Sequence, residues 1–346
     1  MELKRTPDDF IVEEILPERF TEKLRDPNDP ATYLIVEVRK RDLDHFTMIE
    51  RLARIFRCKD NEIGYAGIKD RKATTTQHIS ILNTKRTRSL LKEEYTRGQI
   101  SLRILAGSDE RLNLGMLTAN RFTITAHNLT AQERSSIEYA HEQMPFPNYY
   151  GEQRFARHNI HIAYAFLTRD FKRAAHLLDI RSENPTNDVL ALPRKQRMLL
   201  LSAMQSAIFN YELATHIYQH TEQTPPTLDG LDPDGILDHL DAISRNPPYP
   251  TAPFFVEGAL PLLALGAQPT PIGEHILQKL GISLRDFAIR QMPDVLFEPA
   301  ERMMFATMHI HEKTLENDAA RVRFTLPRGA YATCAMRQLT NDRSVP

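Results

Sequence analysis

The sequence predicts an α+β fold, a mostly antiparallel sheet with helices, interrupted by a helix-rich insertion. Three observations carry this reading. Strand-like segments fill the first third without a regular β-α-β alternation, long amphipathic stretches begin near Asn159, and strand character returns at Ala306–His311 and Ala320–Thr325. The sheet frame is therefore expected at residues 1–160 and 304–346, and the helix-rich insertion at 161–303.

Each element has its own signal. Thr32–Val38 alternates apolar and charged side chains, as a half-buried strand does. His45–Phe56 sets Ile49, Leu52, Ala53 and Phe56 at helical spacing, a stripe for packing on a sheet. His78–Leu82, Leu102–Leu105 and Arg121–His127 are further strand segments. Thr130 is placed to cap a helix running toward Met144, which Pro145 and Pro147 end. Beyond Asn159, residues 161–178 and 195–220 read as long amphipathic helices. The proline-rich stretch 222–273 reads as irregular or loop-rich, and the segments GEHILQKLG and LRDFAIRQM as a second helical pair.

Composition narrows the function classes. The 346 residues carry 44 basic and 45 acidic side chains, a net charge of -1, so the chain as a whole is not a basic nucleic-acid sponge. Local asymmetry remains. Arg39, Lys40 and Arg41 precede a stretch holding Lys69, Arg71, Lys72, Lys85, Arg86 and Arg88, which a polyanion can use and which also suits a solvated charged face. No window holds the run of apolar residues that a membrane helix needs, and the first residues are charged where a secretion signal is apolar. With two cysteines far apart, a reducing cytoplasm is the expected setting. His309-x-His311 and His158-x-x-His161 lack further ligands at metal spacing, and no dinucleotide, phosphate-loop or serine-hydrolase motif is present. Neither metal nor cofactor is expected.

Three clusters carry chemistry. In GYAGIKDRKATTTQ, residues 64–77, two glycines permit close approach of backbone, and Asp70 sits among cations that favour an ionised carboxylate. Such a carboxylate serves as a nucleophile or proton acceptor, and the same residues also suit a charged hairpin turn. In NYYGEQRF, residues 148–155, amide, phenol and guanidinium groups stand beside flat rings, a set that suits a nucleobase or simply fills a core. In FTLPRGAYAT, residues 324–333, a strand runs into a Pro-Arg-Gly turn and presents Tyr331.

Together these segments resemble the pseudouridine synthase D family. RTPDDFIVEEI is similar to its amino-terminal Pro-x-Asp-Phe-x-Val-x-Glu element, and GYAGIKD to the signature whose aspartate is catalytic. NYYGEQRF resembles its Asn-Tyr-Phe-Gly-x-Gln-Arg-Phe motif, LLLSAMQSAIFN its Leu-Ser-Ala-x-x-Ser-x-x-Phe-Asn helix, and FTLPRGAYAT its Leu-Pro-x-Gly-Ser-Phe-Ala-Thr turn. The five elements occur in the family's order from residue 5 to residue 333.

The resemblance implies the pseudouridine synthase catalytic fold with a helix-rich insertion, and isomerisation of a uridine in tRNA, commonly uridine 13, without cofactor or metal. It implies Asp70 as the catalytic residue, Lys4 as its cationic neighbour, and Phe10, Asn148, Tyr150 and Tyr331 around the target nucleoside. Arg71, Lys72, Lys85, Arg86 and Arg88 are the expected phosphate contacts. The partner is then tRNA, with no membrane and no protein partner implied, and the chain is expected to act as a monomer. A non-catalytic RNA-binding protein on the same fold, or a synthase acting on another RNA, accounts for the same motifs. Tyr150 and Tyr331 stand where the family has phenylalanine, Asp44-His45-Phe46-Thr47 where an Asn-Thr pair is common, and Ala119-Asn120 where Gly-Asn is usual.

Overall fold

The structure is a computed structural model that describes residues 1–90, 95–221, 223–250 and 255–340. The proline-rich stretch lies partly outside the described residues, at 222 and 251–254, as does the end of the expected sheet frame beyond 340. The described part of that stretch is not all irregular: Pro233–Arg245 is a helix, capped by Asp232 and burying Ile236, Leu237 and Leu240, and Ala259–Leu262 is a strand. The chain forms two compact units. One comprises Met1–Met144 and Thr307–Ala332, the other Pro145–Ala306 and the segment from Thr333 on.

The first unit begins with strand β1 (Phe10–Ile15), helix α1 (Glu18–Thr21), β2 (Tyr33–Arg41) and α2 (His45–Phe56). There follow β3 (Gly64–Tyr65), β4 (Thr74–Leu82), α3 (Lys85–Leu90), β5 (Tyr95–Arg97), β6 (Ile100–Ser108), β7 (Ala119–Ala126) and α4 (Ala131–Glu138). The chain leaves through β8 (Gln143–Pro147) and returns in β11 (Phe305–Glu316) and β12 (Ala319–Pro327), after β9 (Ala259–Leu262) and β10 (Ala300–Met303). The sheet runs in the order β5-β6-β2-β4-β1-β7-β12-β11, with β3 paired to β4. β1 and β4 are parallel, Ile11 opposite Thr74, while β2 lies antiparallel to β4 and β7 antiparallel to β1.

The stripe expected on α2, Ile49, Leu52, Ala53 and Phe56, is buried, and with Met48, which lies outside that stripe, it packs with Leu34, Val36, Val38, Ile79 and Ile81 of the sheet. Asp44, the departure before this helix, is its N-cap, accepting hydrogen bonds from the Phe46 and Thr47 amides at 2.9 and 3.1 Å. The helix after Thr130 stops at Glu138 rather than near Met144, and the two prolines lie in strand β8. Only Glu133 and Ile137 of that helix are buried, so it has little apolar face with which to extend.

The second unit is helical. α5 (Asn159–Leu167), α6 (Phe171–Leu177), α7 (Pro185–Ala191), α8 (Arg194–His220), α9 (Pro233–Arg245) and α10 (Pro271–Lys279) surround one apolar core, and α11 (Ala332–Thr340) ends the described chain. The stretch 161–178 is two helices and not one. Arg169 adopts a left-handed backbone with φ of 63°, and the Asp170 side chain then caps α6 through the Arg173 amide. LRDFAIRQM forms only a 3₁₀ turn at Leu284–Phe287, with Phe287, Ile289 and Met292 as core plugs. α8 has 27 residues, about 40 Å at ~1.5 Å per residue, and most of its length is buried. No helix among the described residues is long and apolar enough to cross a membrane.

Candidate active site

Asp70 lies on the loop between β3 and β4, and glycines shape that loop. A Cβ at Gly64 would fall 2.3 Å from the Leu112 carbonyl oxygen and from Ser80 Oγ, so the chain can lie this close only without a side chain. At Gly67 a Cβ would meet Lys69 Nζ at 2.8 Å and Glu14 Oε2 at 3.2 Å.

Those two groups form a buried ion pair. Lys69 Nζ donates to Glu14 Oε2 at 2.6 Å, and the His78 amide donates to the other carboxylate oxygen at 3.1 Å. Burial works to raise the Glu14 pKa, yet hydrogen bonding from His78 and the charge of Lys69 outweigh it, so the carboxyl sits below its ordinary range. The residue before Asp70 is therefore anchored to the middle of the sheet through β1.

Asp70 itself points outward, with 43% of its side chain exposed, and meets Lys4 Nζ at 3.3 Å. The same ammonium lies 3.9 Å from the centre of the Phe10 ring, a cation–π contact. Lys4, Phe10 and Asp70 are thus brought together. Phe10 is buried, its ring edge-on to Phe122 at 5.9 Å, and Phe122 stacks on Phe324. The segment carrying Lys4 is fixed by two acids. Asp9 caps the turn through the Thr6 amide and meets His127, while Asp8 binds Arg41 at 2.9 Å and accepts from Thr74 Oγ1 at 2.8 Å. The hydrogen bond from Arg41, and then that from Thr74, hold the Asp8 carboxyl below the usual carboxylate range.

A third lysine reaches Asp70 from below. Lys40, fully buried on β2, donates from Nζ to the Asp70 carbonyl oxygen at 2.6 Å and to the Leu43 carbonyl oxygen at 2.8 Å. Burial pulls its pKa down to about 8, against the attraction of Asp70 and Asp44. Motif reading passed over this residue within Arg39-Lys40-Arg41. The signal was in the alternation of β2, where Val36, Val38 and Lys40 share one face.

Tyr331 follows the turn that ends β12 and is half-buried. Gly329, with φ of 84°, lets that turn form, and the Arg328 amide donates to the Thr118 carbonyl at 3.0 Å. Beside the Asp70 loop an open cavity of about 240 Å³ is lined by Gly67, Ile68, Lys69, Leu117, Asn120 and Arg328, among others. Asn120 Oδ1, in the Ala-Asn departure, is buried without a hydrogen-bond partner.

Asn148 and Tyr150 belong to the second unit, and Arg302 on β10 organises both. Its guanidinium donates to Asn148 Oδ1 at 2.7 Å and to the Asn148 carbonyl at 3.0 Å, and it covers the Tyr150 ring at 4.1 Å. Asn148 Nδ2 donates to the Met303 carbonyl at 3.0 Å. Asn210, fully buried on α8, takes the place of a strand partner: its Oδ1 accepts from the Tyr150 amide at 2.9 Å and its Nδ2 donates to the Tyr150 carbonyl at 3.0 Å. Arg302 and Asn210 escaped the sequence reading as site residues. The available clue to the second was its place in the apolar run Ala207-Ile208-Phe209-Asn210 of α8, where a polar side chain needs a hydrogen-bond partner.

The basic residues do not form one patch. Arg71 and Lys72 are exposed just before β4, whereas Lys85 and Arg86 are exposed on α3 beyond its far end. The nine residues of β4 between them span about 30 Å at ~3.3 Å per residue. Arg88 faces inward in part, donating to Asn83 Oδ1 at 2.7 Å and to the Asp29 carbonyl at 3.3 Å, which leaves it fewer donors for a phosphate. No group of three or more metal-ligating side chains is found among the described residues.

Comparison with known proteins places this geometry in context. The family model described as tRNA pseudouridine synthase D (TruD) matches residues 1–189 and 251–339. A protein of Anaeromyxobacter dehalogenans named tRNA pseudouridine synthase D is 30% identical, the alignment covering 99% of this chain and 93% of the relative. One of the same name from Syntrophotalea carbinolica is 27% identical over 97% of this chain and 95% of its own length. The crystal structure of a Methanosarcina mazei protein carrying that family name shares the fold, with a TM-score of 0.62 at 22% identity over 99% of this chain and 93% of that one. The chain belongs to the tRNA pseudouridine synthase D family.

Proposed function

We propose that this chain isomerises a uridine of tRNA to pseudouridine without a cofactor, with Asp70 as the catalytic carboxylate and uridine 13 in the D arm as the target. The observation that carries the proposal is the half-exposed Asp70 carboxylate, paired with Lys4 on a loop fixed by the buried Lys69–Glu14 bond. Family membership supports the reaction class.

The reaction breaks the bond from C1′ to N1, turns the uracil and rejoins it through C5, which loses its proton while N1 gains one, so atoms and electrons balance without a cofactor. The target base leaves its stack, a step whose cost such enzymes meet with ring and edge contacts in a pocket. Phe10, Tyr331 and Tyr150 are the proposed ring contacts and Asn148 the edge contact, the last oriented by Arg302. Asp70 either attacks C1′ or removes the proton from C2′, and Lys4 supplies the counter-charge on both routes. Arg71, Lys72, Lys85, Arg86 and, with its remaining donors, Arg88 meet phosphates. The chain acts as a monomer in the cytoplasm.

The test is pseudouridine mapping on unmodified tRNA transcripts treated with the wild-type protein and with Asp70→Asn. One new pseudouridine at position 13, absent with the variant while tRNA binding persists, is the expected result. An Asp70→Asn protein that modifies at a near-normal rate would overturn the assignment.

A further inference from the structure

Three lysines surround Asp70, and two have evident tasks: Lys4 meets its carboxylate, and Lys69 pairs with Glu14. Lys40 is different. It is fully buried, and its ammonium lies against two backbone carbonyl oxygens, those of Asp70 and Leu43. Two carbonyl dipoles and the charges of Asp70 and Asp44 only partly compensate a desolvated ammonium, and a methionine of similar length would fill the space without that cost. As a stability device the residue is therefore a poor choice.

As a geometric device it is a good one. The Leu43 carbonyl belongs to the turn between β2 and α2, which Asp44 locks by capping the helix. The Asp70 carbonyl belongs to the peptide on which the outward-facing carboxylate is mounted. Lys40 ties that peptide to a rigid corner, while Lys69 ties the preceding residue to β1. With its backbone fixed on both sides, Asp70 has only its side-chain torsions left to set.

We infer that Lys40 is a positioning residue, holding the Asp70 backbone so that the carboxylate is aimed at the nucleoside. The inference rests on the reading of Asp70 proposed above. Lys40 touches no substrate and acts only through Asp70.

The test compares wild type, Lys40→Met and Asp70→Asn in steady-state kinetics on tRNA transcripts, with thermal unfolding alongside. Lys40→Met is expected to lower kcat by about 10- to 100-fold, the effect of a displacement of about 1 Å on a reacting group. KM and the unfolding midpoint should stay close to wild type. Normal kcat in Lys40→Met, with Asp70→Asn inactive, would overturn the inference and leave the reading of Asp70 standing. Full activity in Asp70→Asn would overturn the reading itself. A parallel loss of kcat, tRNA affinity and thermal stability would assign Lys40 to the fold instead. Should Lys40→Met fail to fold, Lys40→Gln, which keeps an amide donor, is put through the same comparison with the same outcomes.

Discussion

Lys69 Nζ and Glu14 Oε2 meet at 2.6 Å with the Glu14 side chain wholly shut off from water and that of Lys69 95% shut off. Charges this buried are stable only as a pair, and the pair stands one residue before Asp70. The loop that carries the proposed chemistry is therefore fastened by a buried charge pair in addition to the apolar packing of Ala66.

Glu14→Gln leaves the Lys69 charge without its partner, and the expected loss of stability is about 3–5 kcal/mol at neutral pH. The Glu14 carboxyl is held below its ordinary range in the fold. Its contribution is thus present above the unfolded value of about 4.5 and fades as pH falls through the lower folded value. Urea midpoints of wild type and variant should differ widely at pH 7 and converge in acid. A constant difference across pH would show that packing, not charge, is what the glutamate supplies.

Glu212 on α8 predicts the opposite slope. It is buried, accepts a hydrogen bond from Thr270, and has its second oxygen without a partner, so burial raises its pKa from 4.5 to about 7. The folded state binds the proton more tightly, so the stability tied to that proton is full below pH 4.5 and lost as pH rises through 7. The span of roughly 2.5 units corresponds to about 3 kcal/mol. Glu212→Gln should be more stable than wild type at pH 8 and no more stable at pH 4. Equal unfolding midpoints at pH 8 would show that burying the Glu212 carboxylate costs the fold nothing at that pH.

His45 sets an acid limit. The ring is buried and packs edge-on to Tyr65 at 4.7 Å, and burial, with the charge of Lys40, lowers its pKa from 6.5 to about 4 against a hydrogen bond with Gln77. The unfolded chain takes up the proton first, so stability is complete above pH 6.5 and is lost as pH falls toward 4, by about 3 kcal/mol in all. His45→Phe should flatten that part of the curve in urea titrations between pH 7 and 4.5. An unchanged slope would assign the acid loss to another group.

The two ends of β4 can be tested separately for RNA contact. Replacing Arg71 and Lys72 by glutamine should weaken binding to all tRNAs and reduce the salt slope by roughly 1 per lost phosphate contact. Replacing Lys85 and Arg86 should do the same independently, since about 30 Å of strand separates the pairs. A slope unaltered by either double variant takes that end of the strand out of the interface.

Legibility in the sequence followed locality. Asp70 and Lys4 stand in short motifs whose charges are opposite, and the structure pairs them at 3.3 Å. The helical stripe of α2 was readable because the period of apolar residues is itself the packing surface. Lys40 and Glu14 were not singled out, because each occupies an inward position where alternation calls for an apolar residue: Val36, Val38, Lys40 on β2, and Phe10, Val12, Glu14 on β1. Lys85 and Arg86 read as neighbours of Arg71 because sequence distance is short, whereas an extended strand converts it into length. The second unit begins at Pro145, ahead of the helical texture at Asn159, because Tyr150 and Phe155 pack into the helical core. Such a contact leaves no periodic trace.

The position of β12 has a consequence for how the chain is made. β7 pairs with β1 on one side and with β12 on the other, Phe122 opposite Phe324. When β7 emerges from the ribosome its second neighbour does not yet exist, and its backbone donors and acceptors on that side face water. Nearly two hundred residues must be added first, which at roughly 5–20 residues per second takes on the order of 10–40 s. During that time the nascent chain carries an open, apolar-flanked strand, and the helical residues that fill the interval can collapse before the sheet beside which they are encoded is whole.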